Sequence, residues 1–163
     1  MSALSETLDE LIEEARTLRA GIGAMPGTEA APVDVHEYLL DARRRLDRVE
    51  QILSSAIRVR ARVRRAHAEA SAEVEDAWDE AITRIRSSPV RRNDEYSSAK
   101  ERAAEANLHT IAVRRAARLT ADALSRAEEA VEVLRLLHKG LDAARYDALV
   151  LLRLVQFESH LER

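Results

Sequence analysis

The stretch YSSAKERAAEANLHTIAVRRAARLTADALSRAEEAVEVLRLLH, residues 96–138, decides the fold. Within it Tyr96, Ala99, Ala103, Ala106, Thr110, Val113, Ala117, Thr120, Leu124, Ala127, Val131, Leu134 and His138 follow one another at intervals of three and four without slippage. That spacing holds one line of apolar and small side chains on a single helix face, and kept up this long it reads as a coiled-coil seam. Small residues in the first half let a partner helix come close. Leu and Val widen the seam in the second half.

Upstream, a second long helix is expected over about residues 34–87, since no Pro or Gly interrupts the chain before Pro89. Unbroken, it would span ~80 Å at 1.5 Å per residue. Ala42, Val49, Ala56, Val63, Ala70 and Ala77 recur every seven residues, flanked by Leu46, Leu53, Val59, Ala66, Val74 and Ala81, which is again a seam. Asp34 followed by Glu37 reads as its N-terminal cap. The Ser88 to Arg92 break and a cap at Asn93 or Asp94 separate the two long helices, so they should fold back antiparallel.

At the N-terminus, residues 1–20 form an amphipathic helix with Leu4, Leu8, Leu11, Ala15 and Leu18 on one face, able to dock loosely or on another subunit. Residues 21–33 hold three of the four glycines and two of the three prolines and read as a flexible linker. Gly140 is expected to end or kink the seam helix, with Asp142 capping a last amphipathic helix rich in Leu. The expected fold is all-α: a long antiparallel helical hairpin with coiled-coil packing, a short N-terminal helix and a C-terminal helix. Residues 34–163 form its oligomerisation core. A hairpin has one inside face, so the remaining apolar surface points to a homo-oligomer, a ring or a bundle, joined through Tyr96, Ala99, Ala103, Ala106, Val113, Ala117, Leu124, Ala127, Val131 and Leu134 and through the apolar last helix.

Composition agrees with this and narrows the function. Aromatic residues make up 3% and charged residues 34% of the chain, the balance of long helices rather than sheets. There is no Cys, which excludes disulfides and thiolate metal sites. The longest apolar run is far below the ~18 to 20 residues of a membrane span, and the N-terminus has no basic region followed by an apolar one. The expected location is the cytoplasm of a bacterium or of a phage-infected bacterial cell, with no membrane partner.

Catalytic chemistry finds no foothold. His36, His67, His109, His138 and His160 are far apart. A helical di-iron site needs Glu-x-x-His on two helices, whereas Glu105 and His109 are four apart, the spacing of a helix-surface pair. No glycine-rich phosphate loop or nucleophile elbow is present. No enzyme activity, cofactor or metal is expected.

The most informative polar feature is a run of arginines. Arg58, Arg62 and Arg65 fall on one helical stripe and Arg60 and Arg64 on another, with Ala56, Val59, Val63 and Ala66 between them. No acid occurs between Gln51 and Ala68. Guanidinium rails of this kind can neutralise the phosphates of a strand. Alternatively, they flank a coiled coil and pair with acids on a neighbouring helix, for which Glu69 to Glu80 is available. Net charge is −3, so any attraction to nucleic acid is local. Trp78, beside the seam, reads as a partly buried packing residue.

The order of these features resembles the phage recombination mediator family (UvsY-like). The likeness is carried by Arg58-Val59-Arg60-Ala61-Arg62, by Asp94-Glu95-Tyr96-Ser97-Ser98-Ala99-Lys100 opening the seam helix, and by Gly140-Leu141-Asp142-Ala143-Ala144-Arg145 with Val155-Gln156-Phe157-Glu158 near the end. The resemblance implies a ring oligomer that binds single-stranded DNA and helps a RecA-like recombinase displace a single-strand-binding protein. It also implies that Arg58, Arg60 and Arg62 belong to the DNA-binding motif. Ala66 and His67 stand where the family has a pair of tyrosines, and the acidic stretch 69–86 is extra. The expected function is therefore a recombination mediator presenting Arg58, Arg60, Arg62, Arg64 and Arg65 to single-stranded DNA. The alternative is a structural or scaffolding coiled-coil protein, a virion or adaptor component, without nucleic-acid binding.

Overall fold

A computed structural model describes residues 2–87 and 99–161, with side chains from 6–87 and 101–158. The expected break at 88–92, the cap at Asn93 or Asp94, and Tyr96 lie outside the described residues, as do the side chains of Leu4, Ala99 and His160. The described chain is three α-helices, α1 (Ser2–Ala20), α2 (Pro32–Ser87) and α3 (Ala99–Leu161), with no strand. No described helix is long and apolar enough to cross a membrane.

The helix ends differ from expectation at two places. α2 starts at Pro32, two residues before Asp34, and the amides of Asp34 and Val35 reach back to the Ala31 carbonyl. Proline suits the first helical position because its missing N–H would have no partner there. Asp34 instead sits inside the first turn, where a carboxylate is favoured by the helix dipole. The second difference is larger: no separate final helix exists, because α3 runs unbroken through Gly140 and Asp142 to Leu161. A helical glycine costs ~1 kcal/mol relative to alanine. Here the missing side chain leaves the surface on which the Arg19 guanidinium lies, 3.3 Å from where a Cβ would stand.

The chain divides into two compact units, one formed by residues 60–126 and the other by residues 2–59 together with 127–161. The second is a three-helix unit. Its core joins Leu8 and Ala15 of α1, Leu46, Val49, Ile52 and Ala56 of α2, and Ala127, Ala130, Val131, Leu134, Leu137 and Leu141 of α3. A smaller cluster packs Val35 of α2 on Leu151 and Val155 of α3, so the α2 and α3 segments run antiparallel. Ile22 and Ala30, from the segment expected to be a linker, pack against these two clusters.

The N-terminal helix is thus not loose, nor held for another subunit, but docked on its own chain. Its apolar face covers α2 and α3, and two arginines of α2 fix it. Arg48 bridges Glu14 at 2.6 Å. Arg45 donates from Nη1 to the Leu18 carbonyl at 3.1 Å, satisfying one of the carbonyls that a helix C-terminus leaves open. Any side chain at Gly21 would meet that guanidinium at 2.3 Å, so glycine both ends α1 and admits its clamp.

The unit of residues 60–126 has two helices. Trp78 and Ile82 pack on Ala81 and Ile85 of α2 and Ala106 of α3. His67 Nδ1 meets Thr120 Oγ1 at 3.2 Å and Trp78 lies under Arg114, so the two segments are antiparallel here as well. This seam is built from small groups. Thr110 is fully buried and turns its hydroxyl back to its own helix, donating to the Ala106 carbonyl at 2.9 Å.

The seam assigned to subunit association is occupied within the chain. Ala106, Thr110, Ala127, Val131 and Leu134 are buried, and Ala103, Val113, Ala117, Thr120, Leu124 and His138 half-buried, in a single copy. The physical reason is proximity. α2 carries a matching seam on the same chain and reaches α3 at a far higher effective concentration than another molecule does. In α2 the comb is also buried or half-buried from Ala42 to Ala81, except at Ala66, which is exposed. His67 takes its place facing Thr120, so the line of packing steps one residue there.

Candidate nucleic-acid interface

The five arginines assigned to DNA binding do not all fall in one unit. Arg58 belongs to the three-helix unit, where its Nη2 donates to Ser55 Oγ at 3.2 Å. It lines an open groove of about 740 Å³ with Glu14, Asp47, Arg48, Glu50 and Gln51. Three carboxylates against two guanidinium groups make this a mixed-charge surface, not a phosphate track.

Arg60, Arg62, Arg64 and Arg65 belong to the two-helix unit. Consecutive helical residues point ~100° apart. Arg60 is therefore half-buried at the flank of Val63, while Arg62, Arg64 and Arg65 are exposed. Arg64 is engaged in a polar interaction of its own. Arg60, Arg62 and Arg65 carry no ion pair among the described residues, in contrast to Arg16, Arg45, Arg48, Arg84, Arg135 and Arg145.

The acidic stretch that would serve the salt-bridge alternative is used elsewhere or left to solvent. Glu80 pairs with Arg84, one turn along the same helix, at 2.6 Å. Glu69, Glu73, Glu75, Asp76 and Asp79 are exposed or half-exposed and form no ion pair among the described residues. Within one chain, then, Arg62 and Arg65 are solvated charges, and Arg60 is half-buried without an ion pair among the described residues. An exposed guanidinium on an intact helix loses little freedom when it meets a phosphate and binds it in a planar, two-donor fashion.

α3 adds basic groups that the run on α2 does not reveal. Arg115 and Arg118 are exposed in the same two-helix unit and carry no ion pair among the described residues. Arg114 is different: its guanidinium sits 5.0 Å from the centre of the Trp78 ring and its Nη1 donates to Asn107. This cation–π pairing explains why Trp78 is half-buried at the seam edge. It lies under an arginine and also packs against the Ala81, Ile85 and Ala106 cluster. Sequence spacing could have located Arg115 and Arg118 as positions off the seam. Their membership of the same unit as Arg60, Arg62, Arg64 and Arg65 follows only from the fold.

Among the described residues no group of three or more His, Asp or Glu is arranged to hold a metal ion. Glu105 and His109 form an i, i+4 pair at 4.0 Å on the α3 surface. Tyr38, near the start of α2 in the three-helix unit, has its phenol pushed above the usual tyrosine value, first by burial and then by the carboxylates of Asp147 and Asp41.

Comparison with known proteins adds no relative to this picture: no family model matches the chain, and no curated protein and no solved structure matches it.

Proposed function

We propose that the protein is a non-catalytic helical binder of single-stranded nucleic acid, acting as a mediator for a RecA-like recombinase, with Arg60, Arg62 and Arg65 as its principal phosphate-binding groups. One observation carries this reading. These arginines lie in a segment without acids and have no ion pair among the described residues, although carboxylates are plentiful a few turns away. Guanidinium groups kept off the available carboxylates remain ready for phosphates, whose binding releases condensed counterions. Arg115 and Arg118 add two exposed basic groups on α3 of the same unit. The mediator role rests on the family resemblance of residues 58–62, 94–100, 140–145 and 155–158.

Fluorescence anisotropy with a labelled oligonucleotide over a salt series tests it. Wild-type protein binds at ~50 mM salt, and log affinity falls with log salt. Replacing Arg60, Arg62 and Arg65 together by Gln flattens that slope by ~0.7 for each phosphate of a single strand that is no longer neutralised. Helicity stays intact, since Gln is nearly as good a helix former as Arg. Replacing Arg43 and Arg44, which lie among Glu37, Asp41, Asp47 and Glu50, changes the slope little. Absence of any oligonucleotide binding by the wild type removes this function and leaves the scaffolding alternative.

A further inference from the structure

The last turns of α3 carry an apolar stripe turned away from the core of the three-helix unit. Ala148, Leu151 and Val155 are buried, while on the opposite side Tyr146 is 65%, Val150 42%, Leu154 52% and Phe157 65% exposed. Spaced by four, four and three residues, these side chains stay on one face. Together they expose roughly 400 Å² of apolar surface, as large as the biggest patch of many whole monomers. Lys139 interrupts the same face upstream, so the stripe begins at Tyr146.

Its flanks carry opposite charges. At ~100° per residue, Arg153 falls on one edge of the stripe and Glu158 on the other, five positions later. Both are exposed, and neither forms an ion pair among the described residues. Two parallel copies of a helix place one edge of each against the other edge of its neighbour, and paired charges there set orientation. In an antiparallel pair, like edges meet. Arg153 would then find on its own edge Asp142, which Arg145 already holds at 3.0 Å.

We infer that a second copy of this chain covers the stripe, with the two α3 ends parallel, Val150, Leu154 and Phe157 packed against their twins and Arg153 paired with Glu158 of the partner subunit. The area is about half of a standard interface per partner, so association is weak, with a dissociation constant on the order of micromolar. It is independent of the proposed nucleic-acid function and is tested without nucleic acid. Of the two surfaces expected to join subunits, the seam and the last helix, it uses the one that a single copy leaves open.

The full chain at ~100 µM, well above such a dissociation constant, sediments as a dimer or larger species. Leu154→Glu shifts it to monomer with unchanged helicity, as does Arg153→Glu, and adding Glu158→Arg to the latter restores association. Because the protein has no Cys, Val150→Cys and Phe157→Cys each report orientation by oxidation. Both form disulfide dimers in a parallel pair, whereas an antiparallel pair brings at most one of them to its twin. A wild type that stays monomeric at this concentration, Leu154→Glu protein that associates like wild type, or failure of either Cys variant to cross-link overturns the inference.

Discussion

The two units use the same pair of helices to different ends. Residues 2–59 with 127–161 enclose a core from three helices, so Leu134, Leu141, Val49 and Val131 are shut off from water almost completely. Residues 60–126 have only two helices, and two helices bury one line each. Most of their seam is half-buried, and their large apolar groups Leu108, Ile111 and Leu119 stay exposed. Burial at ~25 cal/mol per Å² of apolar surface therefore accumulates in the three-helix unit. The two-helix unit, stabilised less, carries Arg62 and Arg65 exposed and without an ion pair among the described residues. α1 thus matters beyond its length, because it turns a helix pair into an enclosed core.

The largest effect that could overturn this contrast is at the centre of that core. Leu134→Ala removes a side chain with 0% exposure that packs among all three helices, and should cost about 2 to 5 kcal/mol. Leu119→Ala, half exposed in the two-helix unit, should stay within about 0.5 kcal/mol. Urea denaturation of both variants gives the answer. Equal losses would mean that the stability is not concentrated where α1 docks.

A middle-sized effect probes the close seam. Ala106 is fully buried against Ala81 and Ile85, with no room for a larger group, so Ala106→Leu should destabilise by about 1 to 3 kcal/mol. Leu124→Met, half-buried and nearly volume-conserving, should cost less than about 1.5 kcal/mol. Thermal melts that put the two variants in the opposite order would show that the helices separate to admit a leucine at position 106.

Smaller still is the cation–π pair at the edge of the two-helix unit. Arg114→Gln keeps the helix but removes the charge over Trp78, and a pair of this kind near the surface is worth about 0.5 to 1 kcal/mol. Tryptophan fluorescence should shift to the red as the ring gains water. An unchanged emission maximum would mean that the rest of the Trp78 pocket, Val74, Glu75 and Asp79, already determines the ring's environment.

Helix positions and buried faces were readable from the residues because a three-four repeat is a direct physical record of which side chains share a face. Every described seam position of α3 from Ala103 to His138 is buried or half-buried. What covers that face was readable in part: the two long helices were expected to fold back on one another, and α2 does pack on α3. That α1 of the same chain completes the cover was not, because a heptad repeat states that a partner helix exists without stating whose it is. Gly140 misled for a related reason: glycine is common past helix ends, yet it is also tolerated where something must lie close, as Arg19 does. At the candidate site the charge run was plain, but the boundary that leaves Arg58 in one unit and Arg60, Arg62, Arg64 and Arg65 in the other is a property of packing. The contribution of Arg115 and Arg118 from α3 is likewise tertiary.

The finest test of the contrast is a proton. Tyr38 in the three-helix unit has its phenol raised above the ordinary value of about 10, because burial disfavours the phenolate and Asp147 and Asp41 repel it. Folding therefore holds this proton more tightly than the unfolded chain does. The linked stability is complete below about pH 10 and is lost as pH climbs through the higher folded value, the sign expected wherever the native state binds more protons. Melting temperature should accordingly fall more steeply between about pH 9.5 and 11 for the wild type than for Tyr38→Phe. The difference between the two curves isolates Tyr38, because the two proteins share every other residue. Asp147→Asn should recover part of the difference, since it deletes the second largest cause and leaves burial, the first, in place. Parallel curves for wild type and Tyr38→Phe would show that the phenol escapes to water, and that the start of α2 is packed less tightly on α3 than Val35, Leu151 and Val155 make it.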